Sequence, residues 1–162
     1  MLIRPVEQSD VASLRDNCFS QNTMEQMQGI VDFAINNASA DEGVMLVAVD
    51  DVGVVVGNVT ATREPHRLRR HRVRLGGFVI HPTAQGSGLA RALTRAAAEW
   101  CRSHSCTILE LDCRGGTPAE AAYRGLGFTE WGRLEGGFIE DAGTFDQVNF
   151  SARVDDWLAA QK

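Results

Sequence analysis

No run of apolar residues in this 162-residue chain approaches the length that crosses a bilayer. Its first ten residues, MLIRPVEQSD, also lack the apolar stretch of a secretory signal. Neither membrane insertion nor export is expected, and the cytoplasm is the expected setting. Positive charge is in deficit: 16 Lys and Arg stand against 21 Asp and Glu, net −5, which argues against nucleic acid as a partner. The four cysteines, Cys18, Cys101, Cys106 and Cys113, form no C-x-x-C pair and no histidine-ligand spacing. Structural thiols in a reducing compartment are expected, and no metal. Repeats, linkers and low-complexity stretches are absent, so residues 1–162 read as a single domain, long enough to bury a sizeable core. Tyrosine occurs once, at position 123.

What the chain does have is the stretch from His81 to Trp100, HPTAQGSGLARALTRAAAEW. A β-like run, Val73 to Ile80, ends at Pro82. The turn Gln85-Gly86-Ser87-Gly88-Leu89-Ala90 then opens directly into a helix. Leu89, Leu93, Ala96, Ala97, Trp100 and Cys101 recur at helical spacing and predict its buried face, with Arg91, Arg95, Glu99 and Arg102 opposite. A glycine turn at a helix start leaves unpaired N–H groups beside the positive end of the helix dipole. That is a receptacle for phosphate, and small residues let phosphate come close to the backbone. The dinucleotide fingerprint fails because Arg91 stands at its third glycine, and the P-loop fails because no lysine lies in the turn. Gln85, Gly88 and Ala90 do fit the pattern Q/R-x-x-G-x-G/A. A plain strand-to-helix turn remains the alternative.

Around this centre the chain predicts a mixed α+β sheet in the order β-α-α-β-β-β-α-β-α-β-β. Leu2 to Val6 is a first strand, and Ser9 is the expected cap of a helix carrying Val11, Leu14 and Cys18. Thr23 to Gln26 is a capping-box pattern for a second helix, with Met24, Met27, Val31, Ala34 and Ala38 inward. Those methionines are core, or else one adaptable wall of a cleft. Val44–Val49 and Val54–Arg63 read as a hairpin around Asp50 to Gly53. The basic stretch Glu64 to Arg74 is either a solvated hairpin tip, with Arg72 and Arg74 outward, or a cationic rim for an anionic ligand. Thr107 to Asp112 is a buried strand. Thr117 (cap), Pro118 and Glu120 then start a helix that Gly125 and Gly127 end. Phe128–Leu134 and Phe145–Val154 are two last strands joined through Gly136-Gly137 and Ala142-Gly143.

The glycine turn, placed after the fourth strand, resembles the coenzyme A pyrophosphate loop of the GNAT-type N-acetyltransferase superfamily. A second stretch, Ala119-x-x-x-Tyr123-x-x-Leu126-Gly127-Phe128, resembles the A-x-x-x-Y-x-x-x-G-F signature of the same superfamily. The asparagine often found before that helix is absent, Gly116 or Thr117 standing there. Arg70-His71-Arg72, Leu111-Asp112 and Gly116 to Tyr123 look most like the tabtoxin-resistance branch. That branch places a glutamate, an aspartate and a tyrosine around the reacting amine. The aspartate falls on Asp112 and the tyrosine on Tyr123, but Arg74 occupies the glutamate's position.

The resemblance implies an enzyme that transfers acetyl from acetyl-CoA to a primary amine of a small molecule, without a metal, and as a homodimer. Protein or peptide acetylation, and a noncatalytic acyl-CoA-binding module, stay open. An alkylammonium of pKa about 10.4 loses its proton at pH 7 at a cost of about 4.6 kcal/mol, so a base is needed. Asp112 is the candidate, ahead of Glu64, Glu110 and His71; a loop-capping carboxylate is its alternative role. Backbone N–H groups of Phe78, Val79 and Ile80 are expected to face the thioester, freed by a bulge at Gly76-Gly77. Gly86, Ser87, Gly88, Leu89 and Ala90, with Gln85, are expected to hold the pyrophosphate. Tyr123 is expected to hydrogen-bond the leaving sulfur, or else to be a half-buried aromatic.

Overall fold

In the computed structural model, which describes residues 1–161, the strand Gly43–Val49 (GVMLVAV) is buried at every position. A strand apolar on both faces must be covered on both. Its side chains alternate between two cores: Val44, Leu46 and Ala48 enter one, and Met45, Val47 and Val49 enter the other.

Across the described residues seven strands and five helices follow one another. They are β1 (Leu2–Pro5), α1 (Val11–Asn17), α2 (Met24–Ser39), β2 (Gly43–Val49), β3 (Val55–Arg63), β4 (Arg72–Ile80), α3 (Leu89–Ser103), β5 (Ile108–Arg114), α4 (Pro118–Gly125), β6 (Thr129–Glu140), β7 (Gly143–Arg153) and α5 (Val154–Ala160). The strands form one sheet in the order β1-β2-β3-β4-β5-β7-β6. All pairings are antiparallel except β4–β5, which are parallel and are joined by the α3 crossover.

The larger core lies beneath α3, α4 and α5. The buried stripe of α3 is Leu89, Leu93, Thr94, Ala97, Ala98 and Cys101, each large apolar side chain contributing about 1.5–3 kcal/mol. Ala96 and Trp100, expected inside, are only half-buried. The second core lies beneath α1 and α2 and draws its strand residues from β2 and β3 alone. The second face of β4 to β7 contributes nothing to it.

Several sequence expectations are corrected. Ser9 does not cap α1: the Asp10 carboxylate accepts the Glu7 N–H at 2.8 Å and grips Arg4 at 2.7 and 2.9 Å. The Thr23–Gln26 box forms in both directions, but Met24 and Ala38, at the two ends of α2, point outward. Thr117 heads α4 without capping it. Its hydroxyl donates to the Arg114 carbonyl, and Glu120 reaches back to the Gly116 N–H at 2.8 Å. Gly136-Gly137 is an irregularity inside β6, which runs on to Glu140, and only Asp141-Ala142 makes the turn. After β7 the chain forms α5, which sequence reasoning missed. Its Trp157 is buried and donates Nε1–H to the Leu126 carbonyl at 2.8 Å.

Candidate active site

β4 and β5 pair over three residues only, from Arg72 opposite Ile108 to Arg74 opposite Glu110. From Leu75 onward β4 has no ladder partner on that side, so its polar main-chain groups there are left over. The two strands part around a cavity of about 410 Å³.

The expected bulge is present. Thr60 pairs with Gly76 and Asn58 with Val79, so Val59 faces two residues of β4, Gly77 and Phe78. Gly77 has φ +54°, a conformation that favours glycine. The side chain of Asn58, fully buried, donates Nδ2–H to the Gly77 carbonyl at 2.8 Å and holds the kink. The extra residue reverses the alternation of side chains. Val73 and Leu75 face the larger core before the bulge, and Phe78 and Ile80 face it afterwards. Phe78 thereby meets Tyr123, ring centroids 6.2 Å apart, and Tyr123 also packs on Phe150 at 6.1 Å.

The opening passes through the sheet. On the α3–α4 side it is lined by Leu75, Cys113, Ala119 and Tyr123. Alternation puts Arg74 and Asp112 on the other side, where Arg114, Phe138 and Glu140 also line it. Burial, with the neighbouring Cys113 and Asp112, raises the Tyr123 phenol above its ordinary value, so it stays a hydrogen-bond donor. Arg74 Nη1 donates to Asp112 Oδ1 at 2.6 Å. Arg74 is thus the partner of the candidate base.

The glycine turn forms a cradle. Gly86 and Gly88 have φ +74° and +82°, and Gly88 is the N-terminal cap of α3. The first main-chain bond of the helix runs from the Ala92 N–H to the Gly88 carbonyl. Among the described residues nothing accepts the N–H groups of residues 86–91. A Cβ on Gly86 or Gly88 would meet no atom of the described residues within 4 Å and would enter the space that a phosphate would take. These residues fit a pyrophosphate. Leu89 offers only its main chain, because its side chain is in the core. Ser87 Oγ donates to the Ala84 carbonyl, and Ala90 is half-buried. Gln85 turns its amide back to the Ile80 carbonyl at 3.3 Å, away from the cradle.

The structure brings Asp112 and Tyr123 to the same opening and leaves the weaker base candidates outside it. Glu110 is buried, and its two oxygens accept from Arg72 Nε and Nη2 at 2.7 and 2.6 Å. Glu64 and His71 lie near the first residues of β4. Of the basic stretch, Arg70 pairs with Glu42, Arg72 with Glu110 and Arg74 with Asp112, so its charge is largely answered by carboxylates. Sequence reasoning missed Asn58 and the Arg114–Glu140 pair. A lone amide in the otherwise apolar run of β3 was the available signal for Asn58.

A parted parallel strand pair, a main-chain cradle that fits a pyrophosphate and a phenol at the junction suit an acyl-CoA-dependent transferase. The model of the Acetyltransferase (GNAT) family matches residues 9–128, and the chain belongs to that family. It is 27% identical over 136 residues to an aminoglycoside N(6')-acetyltransferase type 1 of Klebsiella aerogenes, covering 80% of this chain and 90% of the relative. The structure of a GNAT-family acetyltransferase from Streptococcus pneumoniae superimposes with TM-score 0.77 at 26% identity, covering 94% of this chain and 98% of the other. A phosphinothricin acetyltransferase from Sinorhizobium meliloti, solved in complex with acetyl-CoA, gives TM-score 0.80 at 18% identity over 94% of this chain and 87% of the other. The protein is an acetyl-CoA-dependent acyltransferase, and no helix among the described residues is long and apolar enough to cross a membrane.

Proposed function

We propose that residues 1–162 form one N-acetyltransferase domain whose acceptor is the primary amine of a small molecule. The observation that carries this reading is the opening at which the unpaired edge of β4, Tyr123 and Asp112 meet, with the main-chain cradle following that edge at the start of α3. Bound acetyl-CoA would supply an acyl thioester, whose carbon–sulfur bond breaks as the acceptor nitrogen bonds to the acyl carbon. The N–H groups of residues 86–90 hold the pyrophosphate, and the free edge of Phe78 to Ile80 faces the acyl arm. Asp112 takes the ammonium proton on Oδ2, which has no partner among the described residues, and the second proton that the nitrogen sheds on becoming an amide passes to the departing thiolate or to solvent. Tyr123 stabilises the sulfur by donating a hydrogen bond. Full proton transfer from a phenol to a thiolate is already uphill by about 2 kcal/mol at ordinary pKa values, and the raised phenol makes it more so.

The Arg70-His71-Arg72, Leu111-Asp112 and Gly116–Tyr123 matches support kinship with the tabtoxin-resistance branch, and with it a cytoplasmic homodimer. Titration with acetyl-CoA by calorimetry, followed by an amine screen for thiol release with Tyr123→Phe as control, tests the reading. Micromolar binding with amine-dependent thiol release is expected. Binding without release from any amine would leave only an acyl-CoA-binding module.

A further inference from the structure

The acceptor side of the opening carries its charges in pairs. Arg74 contacts Asp112 through Nη1 alone, and Arg114 holds both oxygens of Glu140 through its own Nη1, at 2.8 and 2.6 Å. Two strand positions away, Arg72 and Glu110 repeat the motif. The four charges lining the cavity therefore cancel. A polyamine or polycationic sugar, attracted by surplus carboxylates, finds none here.

What the pairs leave over is a set of donors. Nε and Nη2 of Arg74 and of Arg114 have no acceptor among the described residues, and the two side chains are about half exposed. Two free N–H groups on one planar guanidinium suit a carboxylate or phosphonate bidentately. The one unused carboxylate oxygen on Asp112 lies beside them. An anion site and an ammonium site thus stand side by side. Phe138 lines the space, and Phe19 Cζ lies 3.6 Å from where a Cβ on the lining residue Gly77 would stand. The cavity, about 410 Å³, lies at the small end for ligand sites and also has to hold the acyl end of the donor.

We infer that the acceptor is a small amphoteric amine of amino-acid type, whose own carboxylate or phosphonate is held by Arg74, with Arg114 behind it, while its amine faces Asp112. This rests on the acetyltransferase reading above. It gives Arg74 a purpose that a glutamate at the same position could not serve.

The test is thiol release from acetyl-CoA with matched acceptors: a panel of amino acids, each beside its decarboxylated amine and its C-terminal amide, with spermidine as the polycation. The expected result is a kcat/KM at least tenfold higher for an acid than for its decarboxylated and amidated partners, with spermidine poorer still. Arg74→Gln should collapse the acid-to-amine ratio toward one, mainly through KM, and Arg74→Lys should restore part of it. Arg114→Gln should erode the ratio less. Preference for spermidine or for the decarboxylated amines would overturn this inference while leaving the acetyltransferase reading intact. So would a ratio untouched by Arg74→Gln. Absence of release from every acceptor, with acetyl-CoA bound, would overturn both.

Discussion

Replacing Gly88 by glutamate probes the cradle with two separable effects. The first acts on folding. Gly88 sits at φ +82° and ψ 3°, where a residue with a Cβ is disfavoured by about 1–2 kcal/mol. Among the described residues nothing lies within 4 Å of that Cβ, so no clash adds to the cost. For a chain of this length about 1 kcal/mol lowers Tm by roughly 2–4 °C, so a fall of about 2–8 °C is expected. The second acts on binding. The glutamate carboxylate would stand where a pyrophosphate approaches, and two unit charges about 4 Å away repel it by about 1 kcal/mol each even at the dielectric of water. About 2 kcal/mol already exceeds the 1.4 kcal/mol that makes a tenfold change, before any steric block is counted. Calorimetric titration should therefore show the acetyl-CoA Kd raised more than tenfold. Gly88→Asn separates the effects, because asparagine tolerates the left-handed conformation. It should melt near the parent and still bind weakly. A folded Gly88→Glu protein with the parent Kd would refute the assignment of residues 86–90 to the cofactor.

Tyr123→Phe keeps the packing on Phe78 and Phe150 and should change Tm by little while lowering kcat about 10- to 100-fold. Because the phenol is raised, the alkaline limb of wild-type kcat should not report Tyr123 within the ordinary phenol range. Asn58→Asp should destabilise more than Asn58→Ala in urea melts: a carboxylate cannot donate to the Gly77 carbonyl and would bury a charge, whereas alanine loses one hydrogen bond, about 1–3 kcal/mol. Both should also lower kcat, because the bulge sets the free edge of β4. Glu120 is held down to about 2, from an ordinary 4.5, by the Gly116 N–H, Arg124 and Arg133. A carboxylate lowered on folding stabilises above its unfolded value, and that support is lost as pH falls through the folded one. The difference in urea midpoint between wild type and Glu120→Gln should thus be full above about pH 4.5 and vanish near pH 2.

Features governed by local rules were legible in the chain. The cradle was, because a left-handed helix cap demands glycine and the amides that follow are exposed by helix geometry. The bulge was, because Gly76-Gly77 inside a strand has few other meanings. What escaped depends on register between distant segments. Arg74 reads as an outward arginine, or as the loss of a carboxylate, until the parallel pairing sets Asp112, 38 residues away, beside it. The reversal that sends Phe78 toward Tyr123 is a property of β3 against β4, not of β4 alone. α5 carries no side-chain cap and is only seven residues long, so burial of Trp157 and Leu158, rather than propensity, accounts for it.

An opening that passes through the sheet has two doors. The cradle and Tyr123 stand on the α3–α4 side, and Arg74 and Asp112 on the other. On the proposed reading donor and acceptor need not take turns, and neither has to leave before the other arrives, so the protein has no need to carry the acyl group itself between visits. Cys113, the one thiol lining the passage among the described residues, is suited to that abstention: burial, with Glu120 and Asp112 nearby, pushes its thiol up and keeps it a poor nucleophile. On that reading the sheet makes the reaction a meeting rather than a relay.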